Sequence, residues 1–208
     1  MKLRKTYWIV FVTLAVLVGL YPISYWITDM SGGLLSEKSL ELLSSRLYNL
    51  AFYVHISTGG VALLIGWAQF AQKFRLRKPK AHITIGKTYI VSVLLSGLAG
   101  LYISFYATGG LVTIMGFSAL SILWLSSTIM GYLAVRRKEF IKHRNWMLRS
   151  YALAFAAVTL RIWMIAIPAL FPIEPSEAYK LVSWICWVPN LYVVELLIHN
   201  RLNIHRKV

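Results

Sequence analysis

Residues 146–170 read WMLRSYALAFAAVTLRIWMIAIPAL, and His143-Arg144-Asn145 stand directly before them. A predominantly apolar run of roughly 20 residues is long enough to cross the hydrocarbon core of a bilayer as a helix. Eighteen residues separate His143 from Arg161. At roughly 3.6 residues per turn that is about five turns, which puts both on one face, about 27 Å apart by helical rise. Such a helix carries an imidazole at one interface and a guanidinium deep in the membrane. Ionisable groups at that depth are costly in lipid and mark functional positions.

The rest of the chain agrees with a membrane reading. Of 208 residues, 58 % are hydrophobic and 14 % charged, with a mean hydropathy of +0.64; soluble domains average about 25 % charged. The pattern predicts an all-α integral membrane protein, a six-transmembrane-helix bundle forming a single transmembrane domain over 1–208. The spans fall at about 6–27, 48–72, 84–106, 111–135, 146–170 and 179–199. The first is too long for a signal peptide and lacks a small-residue cleavage site.

The formal charge of +15 is distributed unevenly. Lys2, Arg4 and Lys5 precede the first span, and Lys73, Arg75, Arg77, Lys78 and Lys80 fill the second connection. Arg136, Arg137, Lys138, Lys142 and Arg144 fill the fourth, and Arg201, Arg206 and Lys207 follow the last span. The other side has Lys38, Arg46 and Lys180 among Asp29, Glu37, Glu41, Glu174 and Glu177. Under the positive-inside rule this asymmetry places both termini in the cytoplasm. The charge is thus a topology signal and a match to anionic lipid headgroups, and no nucleic-acid partner is needed to explain it. Cys186 is the only cysteine, which excludes an intrachain disulfide and a thiolate cluster.

Between the spans, Ser36, Ser39 and Leu42-Leu43 suggest a short amphipathic helix at about 36–46 on the outer surface. Thr108-Gly109-Gly110 predicts a tight turn that makes spans three and four an antiparallel hairpin. Pro172 and Pro175 keep the fifth connection non-helical, while Pro168 and Pro189 kink their spans. Small residues mark close helix contacts in lipid. Span two has Gly59, Ala62 and Gly66 on the face of His55 and Gln69. Span three has Ser92, Ser96, Gly100 and Ser104 at four-residue spacing, and span five has Ser150, Ala154 and Ala157.

Two polar groupings stand out. His55 and Arg161 share a depth in the outer half, with no acid at that level. They fit an electron-rich ligand such as a quinone carbonyl, a haem propionate or a lipid phosphate. The alternative is a neutral His55 bonded to a neighbouring serine or carbonyl, with Arg161 snorkelling outward. On the cytoplasmic side, His82, His143 and His199 come from three helices and are candidates to ligate a metal or clamp a haem. Glu195 lies one turn before His199, at the depth of Arg149, so an Arg149–Glu195 pair is expected. Phosphate loops, dinucleotide fingerprints, hydrolase triads and zinc-protease motifs are all missing. No pair of intramembrane carboxylates and no inverted repeat supports a transporter.

The motifs His55-x-x-x-Gly59-Gly60-x-Ala62-Leu63-x-x-Gly66-x-x-Gln69-Phe70, His82-x-x-x-Gly86-x-x-Tyr89 and His143-Arg144-x-Trp146-Met147-x-Arg149-Ser150-Tyr151-Ala152 resemble a bacterial family of multi-spanning membrane proteins of unknown function. The resemblance covers roughly 48–200. It implies that His55, Gln69, His82, His143, Arg144, Trp146, Arg149 and Arg161 belong to one shared site or scaffold. A looser likeness is to the cytochrome b561 and ferric-reductase-like bundles, where histidines of neighbouring helices hold b-type haem. This chain departs from that pattern, because His55 lacks an outer histidine partner. The expected function is an inner-membrane redox protein that binds b-type haem or quinone and exchanges electrons with a membrane partner. The alternative is a non-enzymatic lipid- or partner-binding subunit whose polar residues are structural.

Overall fold

The computed structural model describes the backbone of residues 2–27, 35 and 38–206, and the side chains of 5–27, 35, 38–174 and 176–200. Six helical spans are long and apolar enough to cross a membrane: Lys5–Ile27, Arg46–Phe70, Pro79–Ser104, Leu111–Arg136, Phe140–Leu170 and Ser176–Asn200. They coincide with the six expected spans to within a few residues at most ends. No strand occurs among the described residues. The chain forms two compact units, Met1–Thr108 and Gly109–Val208. They join in sequence at the expected turn, where Gly109 and Gly110 take φ of 101° and 74°. Glycine adopts such values without steric cost.

In the first unit, α1 (Lys2–Leu20) ends just before Pro22, which opens α2 (Pro22–Ile27). The outer amphipathic helix is shorter than its sequence suggests. It is α3 (Leu40–Ser44), capped by the Ser39 side chain on the Leu42 amide, and Ser45 then caps α4 (Arg46–Gly66). The expected start at Ser36, with Glu37 and Asp29 of the outer charge count, lies outside the described residues, as does Lys207 of the tail. The last turn of the second span tightens into a 3-10 helix, Trp67–Phe70. The basic connection that follows is itself helical, α5 (Gln72–Arg77), and Pro79 opens α6 (Pro79–Ser104).

The adjacent glycines of α4 serve two different neighbours. A Cβ on Gly59 would stand 2.8 Å from the Ser96 hydroxyl of α6, and one on Gly60 would stand 2.7 Å from the Gly19 carbonyl of α1. Successive helical residues point about 100° apart, so this pair lets backbones approach on two sides at once. The small-residue stripe of α6 is buried as expected at Ser92, Ser96, Gly100 and Ser104.

The second unit comprises α7 (Leu111–Arg136), α8 (Phe140–Ala154), α9 (Ala156–Leu170), α10 (Pro175–Ile185) and α11 (Val188–Arg206). The fifth span, read as one straight helix, is broken by a turn at Phe155. His143 lies on α8 and Arg161 on α9, on either side of that one-residue turn within the single span Phe140–Leu170. Pro189, in the first turn of α11, interrupts the sixth span as expected, since it has no N–H for the Ile185 carbonyl at which α10 ends, while Pro168 lies inside α9.

Replacing Gly60 by Leu should push α1 away, because the clash is with backbone and no side chain can move aside. The purified variant is expected to melt several degrees lower in detergent than Gly59→Ala, whose clash is with a rotatable hydroxyl. Equal melting temperatures would show that the α1–α4 approach does not matter.

Candidate functional site

The α7–α8 hairpin positions the cytoplasm-predicted residues of the second unit. A Cβ at Gly131 of α7 would lie 2.7 Å from the Met147 sulfur, so glycine there admits the α8 side chain. The bare carbonyl of Gly131 also accepts a hydrogen bond of 2.8 Å from His143 Nδ1. One turn earlier on α7, the Thr128 and Ser150 hydroxyls pair at 2.7 Å, with both residues fully buried. A histidine that donates through Nδ1 to a carbonyl keeps its Nε2 lone pair in a fixed direction, as ligand histidines do.

The helix breaks are tied together by side chains. The Asn190 amide of α11 donates to the Ala152 carbonyl at 3.3 Å, to the Cys186 carbonyl at 3.0 Å and to Thr159 Oγ1 at 3.0 Å. Thr159 Oγ1 in turn donates to the Cys186 carbonyl. The turn at Phe155 and the gap between α10 and α11 thus meet at one polar node. Side chains inserted into a helical ladder are a recognised cause of such breaks.

Above this hairpin lies the most developed site. Arg149 Nε and Nη2 donate to Glu195 Oε1 and Oε2 at 2.5 and 2.8 Å, a bidentate pair between α8 and α11. The guanidinium carbon sits 4.6 Å from the Trp146 ring centroid, within cation–π range. These residues line a cleft of about 290 Å³ together with Leu123, Ser126, Ser127, Met130, Leu153 and Leu191. Bidentate pairing uses two of the five or so N–H donors of a guanidinium, and the surface that the cleft presents is almost wholly apolar. The expected pair is present, and the cleft beside it is a feature the sequence did not disclose.

The first unit carries His55, Gln69 and His82. His55 Nδ1 donates to the Ser96 carbonyl at 2.9 Å, and the Ser96 hydroxyl donates to the His55 carbonyl at 2.8 Å. This is the serine-and-carbonyl arrangement named as the alternative for His55. The Gln69 side-chain oxygen faces Gly86, one turn beyond His82 on α6. Arg144, half-buried on α8, stands two residues before Trp146 of the second unit's cleft; Arg161 on α9 donates from Nη1 to the Ala157 carbonyl at 2.7 Å. His199 is exposed on α11. The His55–Arg161 and His82–His143–His199 groupings each draw on residues of both units. Among the described residues no three His, Cys, Asp or Glu side chains gather to hold a metal ion.

Sequence reasoning missed α7 as a site-building helix. Its buried positions Thr113, Gly116, Ser121, Trp124, Ser127, Thr128, Gly131 and Ala134 are mostly small and mostly three residues apart. That small-residue periodicity was the available signal.

A family model described as "Predicted membrane protein (DUF2306)" matches residues 52–198. No curated protein matches the chain, and no solved structure does.

The pair is half-buried, with the Glu195 side chain 45 % and the Arg149 side chain 22 % exposed, so removing one partner leaves a charge without its counter-ion at a cost below the roughly 3–5 kcal/mol of fully buried pairs. Glu195→Leu and Arg149→Leu should therefore each lower the melting temperature of the purified protein clearly. The double Arg149→Leu/Glu195→Leu variant should recover much of that loss. A double variant as unstable as the sum of the singles would show that the two residues act independently.

Proposed function

As the chain belongs to this DUF2306 family of membrane proteins, we propose that it is an integral membrane redox protein that takes a quinone ring into the Trp146–Arg149–Glu195 cleft. The observation that carries the reading is the composition of that cleft. A quinone ring is flat and apolar, with carbonyls that only accept hydrogen bonds. The cleft pairs an indole for stacking with a guanidinium for a carbonyl, amid Leu123, Met130, Leu153 and Leu191. Its volume of about 290 Å³ lies at the lower end of the roughly 300–1,000 Å³ range of ligand pockets. That suits a single ring better than a porphyrin.

A bound quinone would supply two-electron, two-proton chemistry, with electrons exchanged with a membrane redox partner. The chain's own part is to hold the ring against Trp146 and to donate from Arg149, which the Glu195 carboxylate holds in place. Glu195 and His199 stand one turn apart on α11, toward the basic end of the unit. By the positive-inside rule that end faces the cytoplasm, with both termini inside, in the inner membrane of a bacterium.

One observation favours a second reading, b-type haem. His143 commits Nδ1 to the Gly131 carbonyl of the facing helix, which leaves Nε2 oriented as an axial ligand requires. The same bond also serves a purely structural subunit, whose polar residues hold helices together.

Gentle detergent extraction followed by mass spectrometry of the organic extract should find menaquinone or ubiquinone at near one per chain. Trp146→Leu, which leaves the ion pair intact, should lower that content by roughly tenfold, the order expected for losing a stacking partner with its cation–π contact. A Soret band that shifts on dithionite reduction would favour haem instead. A colourless protein without quinone would overturn the redox reading and leave the structural one.

A further inference from the structure

All three spans of the second unit are weakened, and the weak points adjoin one another. Span five breaks at Phe155, between α8 and α9, and span six at Cys186–Trp187, between α10 and α11. At both breaks the backbone tightens to bonds three residues back, from the Val158 N–H to the Phe155 carbonyl and from the Trp187 N–H to the Trp184 carbonyl. Pro189 has no N–H to return to the Ile185 carbonyl. The remaining helix, α7, is continuous, but the Ser127 and Thr128 hydroxyls both donate to its Trp124 carbonyl, at 3.1 and 2.8 Å. Hydroxyls bonded back to a helical carbonyl in this way loosen and bend a helix.

The packing divides at the same places. On the side of the Gly109-Gly110 turn, α10 lies against α9 and against the start of α7. A Cβ on Gly116 would stand 2.6 Å from the Ser183 hydroxyl, and Trp184 Nε1 donates to the Val112 carbonyl at 3.1 Å. On the basic side, α8 lies against the rest of α7 and against α11, through Thr128–Ser150, His143–Gly131 and Arg149–Glu195. Among the described residues, little besides the joining turns connects α8 with α9 or α10 with α11. Asn190 pins the two bodies, since its amide reaches the Ala152 carbonyl of α8, the Cys186 carbonyl and the Thr159 hydroxyl of α9. An amide has two N–H groups for these three acceptors, so the pin exchanges partners without losing a hydrogen bond. The cleft sits on this division: its lining residues Leu123, Leu153 and Leu191 stand within two residues of Trp124, Phe155 and Asn190.

We propose that the three weak points form one hinge. On it α9, α10 and the start of α7 tilt as a body against α8, α11 and the rest of α7, and the tilt widens or closes the cleft. Hinges absorb such rotations at a few element ends, and irregular backbone at membrane depth is tolerated where side chains meet the freed carbonyls. The gate holds for any ligand of the cleft; as control of quinone access it rests on the quinone reading.

Spin labels on Ile141→Cys of α8 and Ile165→Cys of α9, both exposed, read the tilt as a distance in the full chain in nanodiscs, with the buried native thiol removed by Cys186→Ala. Two populations of distance are expected. Asn190→Leu, which removes the pin, should change their ratio by roughly two- to tenfold, as the loss of about one net hydrogen bond does. Pro189→Ala supplies the missing N–H and should narrow the distances to one population, which keeps the test open if Asn190→Leu does not fold. Bimane on Ser126→Cys, in the cleft, reads the opening through quenching by the Trp146 indole, with Trp146→Leu as the unquenched reference. That quenching should follow the distance ratio across the variants. A single narrow distance, unchanged by either substitution, would overturn the hinge. Distances that shift while the quenching stays constant would overturn the gate. Both are measured without added quinone, so failure of the hinge and failure of the quinone reading are separate results.

Discussion

Hydrocarbon offers no partner to a polar group, and this constraint explains most of what is unusual in the chain. Each place where a helix breaks has a side chain standing in for water. Asn190 and Thr159 satisfy carbonyls at the Phe155 turn and at Cys186. The two hairpins are likewise clamped by histidines, His55 on Ser96 and His143 on Gly131, each giving its Nδ1 proton to a backbone oxygen of the facing helix. Arg149 and Glu195 satisfy one another most fully, since each of two guanidinium nitrogens meets its own carboxylate oxygen.

The parts of the fold governed by hydropathy were legible in the sequence. Span positions, the α6 serine stripe, the glycine turn at Gly109-Gly110 and the Arg149–Glu195 pair all follow from apolar length, small-residue spacing or matched depth. The break in the fifth span was not legible. Phe155 sits in a run of good membrane-helix residues, and only the arrival of Asn190 from another helix tells its carbonyls apart. The role of α7 was hidden because its contribution is an absent side chain, Gly131, and a backbone oxygen. Neither leaves a trace when a sequence is searched for chemistry-bearing side chains. The basic connection was read as a topology signal and a match to anionic headgroups, and nothing in Lys73–Lys80 shows that the preceding turn buries two donors.

These two kinds of feature carry different weight for function. The histidine clamps are sufficient as structure. The Trp146–Arg149–Glu195 cleft is less easily assigned to packing, because an open space lined by an indole and an ion pair adds nothing to stability. A bundle that needed only the ion pair would close over it with one more leucine. The second unit instead leaves about 290 Å³ beside its most polar contact.

Photolabelling with an azido-quinone, followed by peptide mapping of the purified protein, tests this proposal most directly. The account predicts label on α7 between Leu123 and Met130, on α8 between Trp146 and Leu153 or on α11 between Leu191 and Glu195, removed by excess unlabelled quinone. Label confined to other helices, or label that excess quinone does not displace, would contradict it.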